Sequence, residues 1–88
     1  MWEIKFHRRV AKDIERLRVA KLDNKARRLI AIVKINPFQT PPPYEKLVGE
    51  LRGLYSRRIN IHHRMIYAVD EAKKQVKILS MWTHYENI

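Results

Sequence analysis

Eighty-eight residues, 45% of them hydrophobic, are enough for one modest core and too few for two, so residues 1–88 read as a single domain. Nineteen Lys and Arg against nine Asp and Glu give a formal charge of +10, which draws polyanions at long range, nucleic acid first and an acidic protein segment second. The absence of cysteine excludes disulfides and thiolate metal sites, no apolar run reaches the ~20 residues of a membrane span, and the expected setting is soluble and cytoplasmic.

Trp2, Ile4 and Phe6 alternate with Glu3 and Lys5, which predicts a short strand with one buried face. Val10, Ile14 and Leu17 then form the apolar stripe of a first helix, with Lys12, Asp13, Glu15, Arg16 and Arg18 on its other faces. A second helix starts near Asp23, read as its N-cap, and carries Ala26, Leu29, Ile30 and Val33 until Asn36-Pro37 stops it. Lys21-Leu22-Asp23 leaves room only for a tight connection, so the two helices form a hairpin. Pro37 to Pro43 (PFQTPPP) reads as a stiff, extended connector delivering Tyr44-Glu45-Lys46-Leu47 to the sheet. Three more strands are expected, at Leu54 to Ile59, Arg64 to Asp70 and Gln75 to Trp82, with a turn at Asp70 to Lys74.

Strand, two-helix hairpin, then strands joined by hairpins indicate an α+β fold, a largely antiparallel sheet with the helices packed on one face. Arg57, Arg58 and Arg64 fall on the open or covered face according to parity. Arg57 shares its parity with Tyr55, Ile59 and Ile61, which want the core, so Arg58 is the better match to the open face. The planar guanidinium fork suits phosphate oxygens.

Tyr55-Ser56-Arg57-Arg58-Ile59-Asn60, His63-Arg64 and Ile66-Tyr67-Ala68-Val69-Asp70, with the ending Ile78-Leu79-Ser80-Met81-Trp82-Thr83-His84-Tyr85, resemble the core signature of the YoeB/Txe family. These are bacterial toxins of the RelE-like superfamily of ribosome-dependent mRNA endonucleases, with a microbial-RNase-like fold. Pro37-Phe38 and Glu45 also fall where that family places them, and the resemblance covers about Asp23 to Tyr85.

The resemblance implies a general base at Glu45, a phosphate-stabilising arginine at Arg64, a general acid at His84 and a site-shaping tyrosine at Tyr85. Arg58 would add a phosphate contact, and Arg57, His63 and Lys46 are further candidates for RNA or phosphate binding. The chemistry explains the residue types. Metal-free RNA cleavage needs a base for the 2′-OH, a cation for charge growing on phosphorus and an acid for the departing 5′-oxygen. A 2′,3′-cyclic phosphate and a 5′-hydroxyl are the expected products, with no cofactor and no metal; adjacent His62 and His63 would diverge in a strand. The resemblance further implies an acidic YefM/Axe-like antitoxin, ribosomal RNA and mRNA as partners, and DNA only through the antitoxin.

Taken singly, each residue has an ordinary reading: Glu45 and Arg64 as surface charges, His84 as an inert tail residue. Only their joint occurrence favours chemistry. A non-catalytic RNA- or ribosome-binding module of the same fold is the competing reading, and a DNA-binding repressor a weaker third. His84 and Tyr85 are consecutive, so both line one site only if the chain has left strand geometry by Thr83.

Overall fold

The computed structural model describes residues 1–82. A strand β1 (Glu3–Phe6) is followed by helices α1 (Val10–Val19) and α2 (Asp23–Ile35). Four more strands follow among the described residues: β2 (Glu45–Lys46), β3 (Leu54–Arg58), β4 (Arg64–Asp70) and β5 (Gln75–Ser80). They form one sheet in the order β1-β5-β4-β3-β2, with β1 parallel to β5 and the other neighbours antiparallel. The expected α+β architecture is present, with the helix pair covering one face.

The core lies between that face and the helices. Val10 and Leu17 of α1 and Ala26, Leu29 and Val33 of α2 meet Met65, Tyr67, Val76 and Ile78 of the sheet and Met81 just beyond β5. Three details depart from the apolar pattern. Ile14 is 43% exposed and Asp13 is buried in its place, because the Asp13 carboxylate accepts the Met81 backbone N–H at 3.0 Å, a charge-assisted bond that supports the end of β5. Phe6 is half exposed on the edge strand, and Ile61 is solvent-facing because it lies in the β3–β4 turn rather than in a strand. There the Asn60 side-chain oxygen accepts the backbone N–H groups of His62 and His63, the local bonding that makes Asn a turn former. Asp23 is the first residue of α2 and not its cap, so it acts only through the favourable placement of an acid in the first turn.

β4 and β5 change register between Ile66 and Tyr67: Tyr67 faces Ile78, but Ile66 faces Ser80, leaving Leu79 as the extra residue. An extra residue reverses the alternation beyond it. Ser80 therefore joins the open face while Met81 returns to the core, and the last strand ends at Ser80, two residues short of Trp82.

The proline-rich stretch is not an extended rod. It folds around the guanidinium of Arg57, which is fully buried. Arg57 donates from Nε to the Tyr67 hydroxyl (3.0 Å), from Nη1 to the Pro42 carbonyl (2.6 Å), and from Nη2 to the carbonyls of Pro37 (3.0 Å) and Gln39 (2.8 Å). The Tyr67 hydroxyl donates in turn to the Pro37 carbonyl at 2.8 Å. Trp2, Phe38, Tyr44, Tyr55 and Tyr67 pack as a chain of rings beside it, with the Arg57 cation 5.1 Å from the centre of the Tyr44 ring. Prolines suit such a strap because they have no N–H to satisfy and leave their carbonyls for an outside donor. Its downstream end is β2, so Arg57 holds in place the segment that delivers Glu45.

Candidate active site

Ladder pairing sets the geometry of the open face. Glu45 sits opposite Ser56, Ser56 opposite Ile66, and Arg58 opposite Arg64. Directly paired residues project to the same side, so Glu45, Ser56, Arg58 and Arg64 all stand on the face the helices leave uncovered. With Pro43 and Tyr44 they line an open cleft of about 220 Å³.

Arg64 is its centre. The guanidinium Nη1 donates to the Glu45 carboxylate at 3.0 Å and to the Ser56 hydroxyl at 3.2 Å. The Arg64 side chain is only 16% exposed, whereas that of Glu45 is 58% exposed. An ion pair this open to water contributes about 1 kcal/mol at most; its value is orientation. Among the described residues no hydrogen bond uses Arg64 Nε or Nη2, which keeps donors available for an anion in the cleft. Arg58 is exposed, directly across the ladder from Arg64, and has no ion-pair partner among the described residues. Two cations facing each other across a ladder repel unless an anion lies between them.

The structure thus brings together three of the residues expected from sequence, Glu45, Arg64 and Arg58, and adds Ser56, whose signals in the sequence are its place in the Tyr55–Asn60 run and the parity it shares with Arg58. Arg57 requires a correction. Its expected contact with RNA phosphate does not fit the structure, because burial leaves it no access to the surface and its donors are taken by three carbonyls and a hydroxyl.

Two other candidates lie outside the cleft. Lys46 alternates with Glu45 in β2 and is exposed without lining the cleft. His63 stacks on Trp82, with ring centres 3.9 Å apart and 18° between the planes, and its Nδ1 donates to the Trp82 carbonyl. This fastens the chain just before residue 83. Together with the Asp13–Met81 bond, it anchors Met81 and Trp82. His84 and Tyr85, expected as acid and site-shaping tyrosine, lie outside the described residues.

A depression of about 450 Å³ lies elsewhere on the same face, over β1, β5 and β4, lined by Lys5, Phe6, Ala68, Asp70 and Lys77 among others. It contains no arginine and no carboxylate–guanidinium pair, so the chemically richer cleft is the smaller one. Among the described residues no three His, Asp or Glu side chains come together as metal ligands would.

The family model that matches this chain, over residues 6–85, is that of the YoeB-like toxin of the bacterial type II toxin–antitoxin system. A curated relative, "Toxin YoeB" of Mycobacterium bovis, is 38% identical over 58 residues; the alignment spans about two thirds of each chain, 66% of both. Among solved structures, the YoeB/ParE toxin from Agrobacterium tumefaciens superposes with a TM-score of 0.83 at 27% identity, covering 94% of this chain and 99% of that one. A YoeB–YefM complex from Staphylococcus aureus matches with a TM-score of 0.78 at 32% identity, covering 97% of this chain and 99% of that one.

Proposed function

The chain belongs to the YoeB-like toxin family of bacterial type II toxin–antitoxin systems, and on that premise we propose that it is a ribosome-dependent endoribonuclease that cuts mRNA in the ribosomal A site. The observation that carries this reading is the open-face cleft, where a carboxylate, a largely buried guanidinium and a second arginine converge.

In this reading Glu45 takes the proton from a ribose 2′-OH and the freed oxygen attacks the adjacent phosphorus. Arg64, steadied by Ser56, and Arg58 meet the charge that grows on the non-bridging oxygens, the interaction that contributes most to such reactions. Attack forms the 2′-O–P bond and breaks the P–5′-O bond. His84 gives its proton to the departing 5′-oxygen, and Tyr85 shapes the site around it. The products are a 2′,3′-cyclic phosphate and a free 5′-hydroxyl. The ribosome supplies the alignment of message and attacking hydroxyl, which is why so small a scaffold with so open a cleft suffices.

An antitoxin with an acidic segment that folds on binding fits a domain of charge +10; the S. aureus relative is in complex with YefM. Contacts with operator DNA would come from the antitoxin. The test is to map mRNA 5′ ends in a translation reaction. New 5′-hydroxyl ends in A-site codons with wild type, absent with Glu45→Ala, Arg64→Ala and His84→Gln, are the expected result. Ribosome binding without any new ends would overturn it in favour of a non-catalytic RNA-binding module.

A further inference from the structure

Arg58 lines more than one cavity. Behind it, between the start of α2 and the end of β3, a second cleft of about 200 Å³ is lined by Lys25, Arg28, Leu29, Arg58 and Ile59. Leu29 and Ile59 belong to the buried core, so they form an apolar floor, and the three remaining side chains are all exposed cations. No carboxylate lines it. Four of the chain's nineteen Lys and Arg side chains have a carboxylate partner among the described residues: Arg16 with Asp13, Arg18 with Glu15, Arg64 with Glu45 and Lys5 with Glu3. Lys25, Arg28 and Arg58 have no such partner among the described residues.

Three like charges around one small cleft repel one another, an effect that solvent and salt reduce but do not abolish. An anion seated among them reverses the sign of that term. Because Arg58 belongs to both clefts, an anion in the second lies next to whatever occupies the first. We infer that the Lys25–Arg28–Arg58 cleft is a second phosphate-binding subsite, taking an RNA phosphodiester beside the one engaged by Arg64. The inference rests on the proposed reading of the Glu45–Arg64 cleft as the place where RNA is held. The phosphate comes either from the message itself, one or two nucleotides from the scissile bond, or from ribosomal RNA.

Lys25 and Arg28 are surface residues of α2, so Lys25→Gln with Arg28→Gln leaves the core intact. A second double variant, Lys12→Gln with Arg27→Gln, removes the same charge from exposed positions outside the cleft and serves as control. The first arm measures binding of a single-stranded 2′-O-methyl oligoribonucleotide, which lacks the attacking hydroxyl, as a function of salt. The second arm measures co-sedimentation with ribosomes over the same salt range.

If the phosphate is the message's, the cleft variant lowers the slope of log affinity against log salt by about 0.7 for each phosphate charge it no longer neutralises, about 1.4 for two, or roughly 25-fold in affinity at 0.1 M salt. If it is ribosomal, the oligonucleotide arm stays unchanged and the ribosome arm loses slope. Either result supports the subsite, provided the control variant changes less. Equal slopes for both double variants in both arms overturn it. The two readings fail separately. Wild type that binds the oligonucleotide with the full slope but makes no cuts removes the cleavage reading and leaves the subsite standing. Wild type that cuts while the cleft variant keeps its slope removes only the subsite.

Discussion

Arg57 and Arg58 are neighbours in the chain, and the protein puts them to opposite uses. Arg57 points to the covered side, has no exposed surface, and spreads its charge over three backbone carbonyls and a tyrosine hydroxyl. Arg58 points to the open side, is exposed, and faces a second arginine across the ladder. A guanidinium is tolerated inside because neutral acceptors can satisfy its donors one by one; outside, its donors are left for a ligand. Two identical side chains thus differ by one step of strand parity. One builds the strap that delivers Glu45, and the other stands in the cleft that Glu45 enters.

The comparison breaks first at the cleft. Glu45→Ala and Arg64→Ala are expected to lower single-turnover cleavage of ribosome-bound message by about 10²–10³-fold, the range for losing a general base or a charge-stabilising donor. Melting temperature should change little for Glu45→Ala, whose side chain is 58% exposed, and by a few degrees more for Arg64→Ala, whose largely buried stem also packs. A large thermal shift with modest kinetic loss would mean that the pair is structural. Next comes the arginine pair itself. Arg57→Ala orphans buried acceptors and should cost about 3 kcal/mol, lowering the melting temperature by about 12–24 °C for a domain of this size. Arg58→Ala should leave melting within a few degrees and instead slow cleavage. Thermal denaturation beside single-turnover rates checks both, and the opposite assignment would reverse the roles given to the two residues.

Parity was legible in the sequence for this pair because β3 is regular up to Arg58. The stripe of α2, and Val10 and Leu17 of that of α1, were legible for the same reason, a fixed period of 3.6, whereas Ile14 is exposed. Legibility ended where a residue answers to something remote. Asp13 has the look of a solvated helix charge, yet it is buried because it serves a backbone N–H 68 residues away. The proline-rich segment reads as extended because its partner is a side chain in β3 and its own contribution is backbone carbonyls, which any sequence has. Register shifts leave no residue signature either, so the return of Met81 to the core was not predictable from alternation. In the cleft, Glu45 and the two arginines were readable from their joint pattern, whereas Ser56 depended on a register that only the ladder fixes.

A smaller effect sharpens the covered side. Burial holds the Tyr67 hydroxyl above its usual titration range near 10, with the Arg57 cation and its hydrogen bond pulling the other way. Above about pH 10 the unfolded chain gives up this proton before the folded one does. The contribution is therefore intact below that pH and lost as pH rises through the folded value. Tyr67→Phe should cost about 1 kcal/mol at neutral pH and show a shallower decline of stability on the alkaline side than wild type. Parallel alkaline unfolding curves for the two proteins would assign that decline to other groups.

The smallest expected effect on the open side is at Ser56. Its hydroxyl is one of two acceptors for Arg64 Nη1, at 3.2 Å, and unlike Glu45 it carries no charge and no proton-transfer duty. Ser56→Ala keeps the strand, removes one hydrogen bond and leaves the guanidinium attached to Glu45 alone. The bond is charge-assisted, since its donor is the guanidinium, but at 3.2 Å and sharing Nη1 with Glu45 it falls at the weak end of that class, about 1.5 kcal/mol, so cleavage should fall by about 12-fold if Ser56 does no more than hold Arg64 in position. The pH dependence of the rate should keep its shape, because no titrating group has been removed. A loss approaching that of Arg64→Ala, or a displaced pH profile, would mean that Ser56 touches the reacting phosphate itself, and the β3–β4 wall of the cleft would then hold the phosphate through three side chains instead of two.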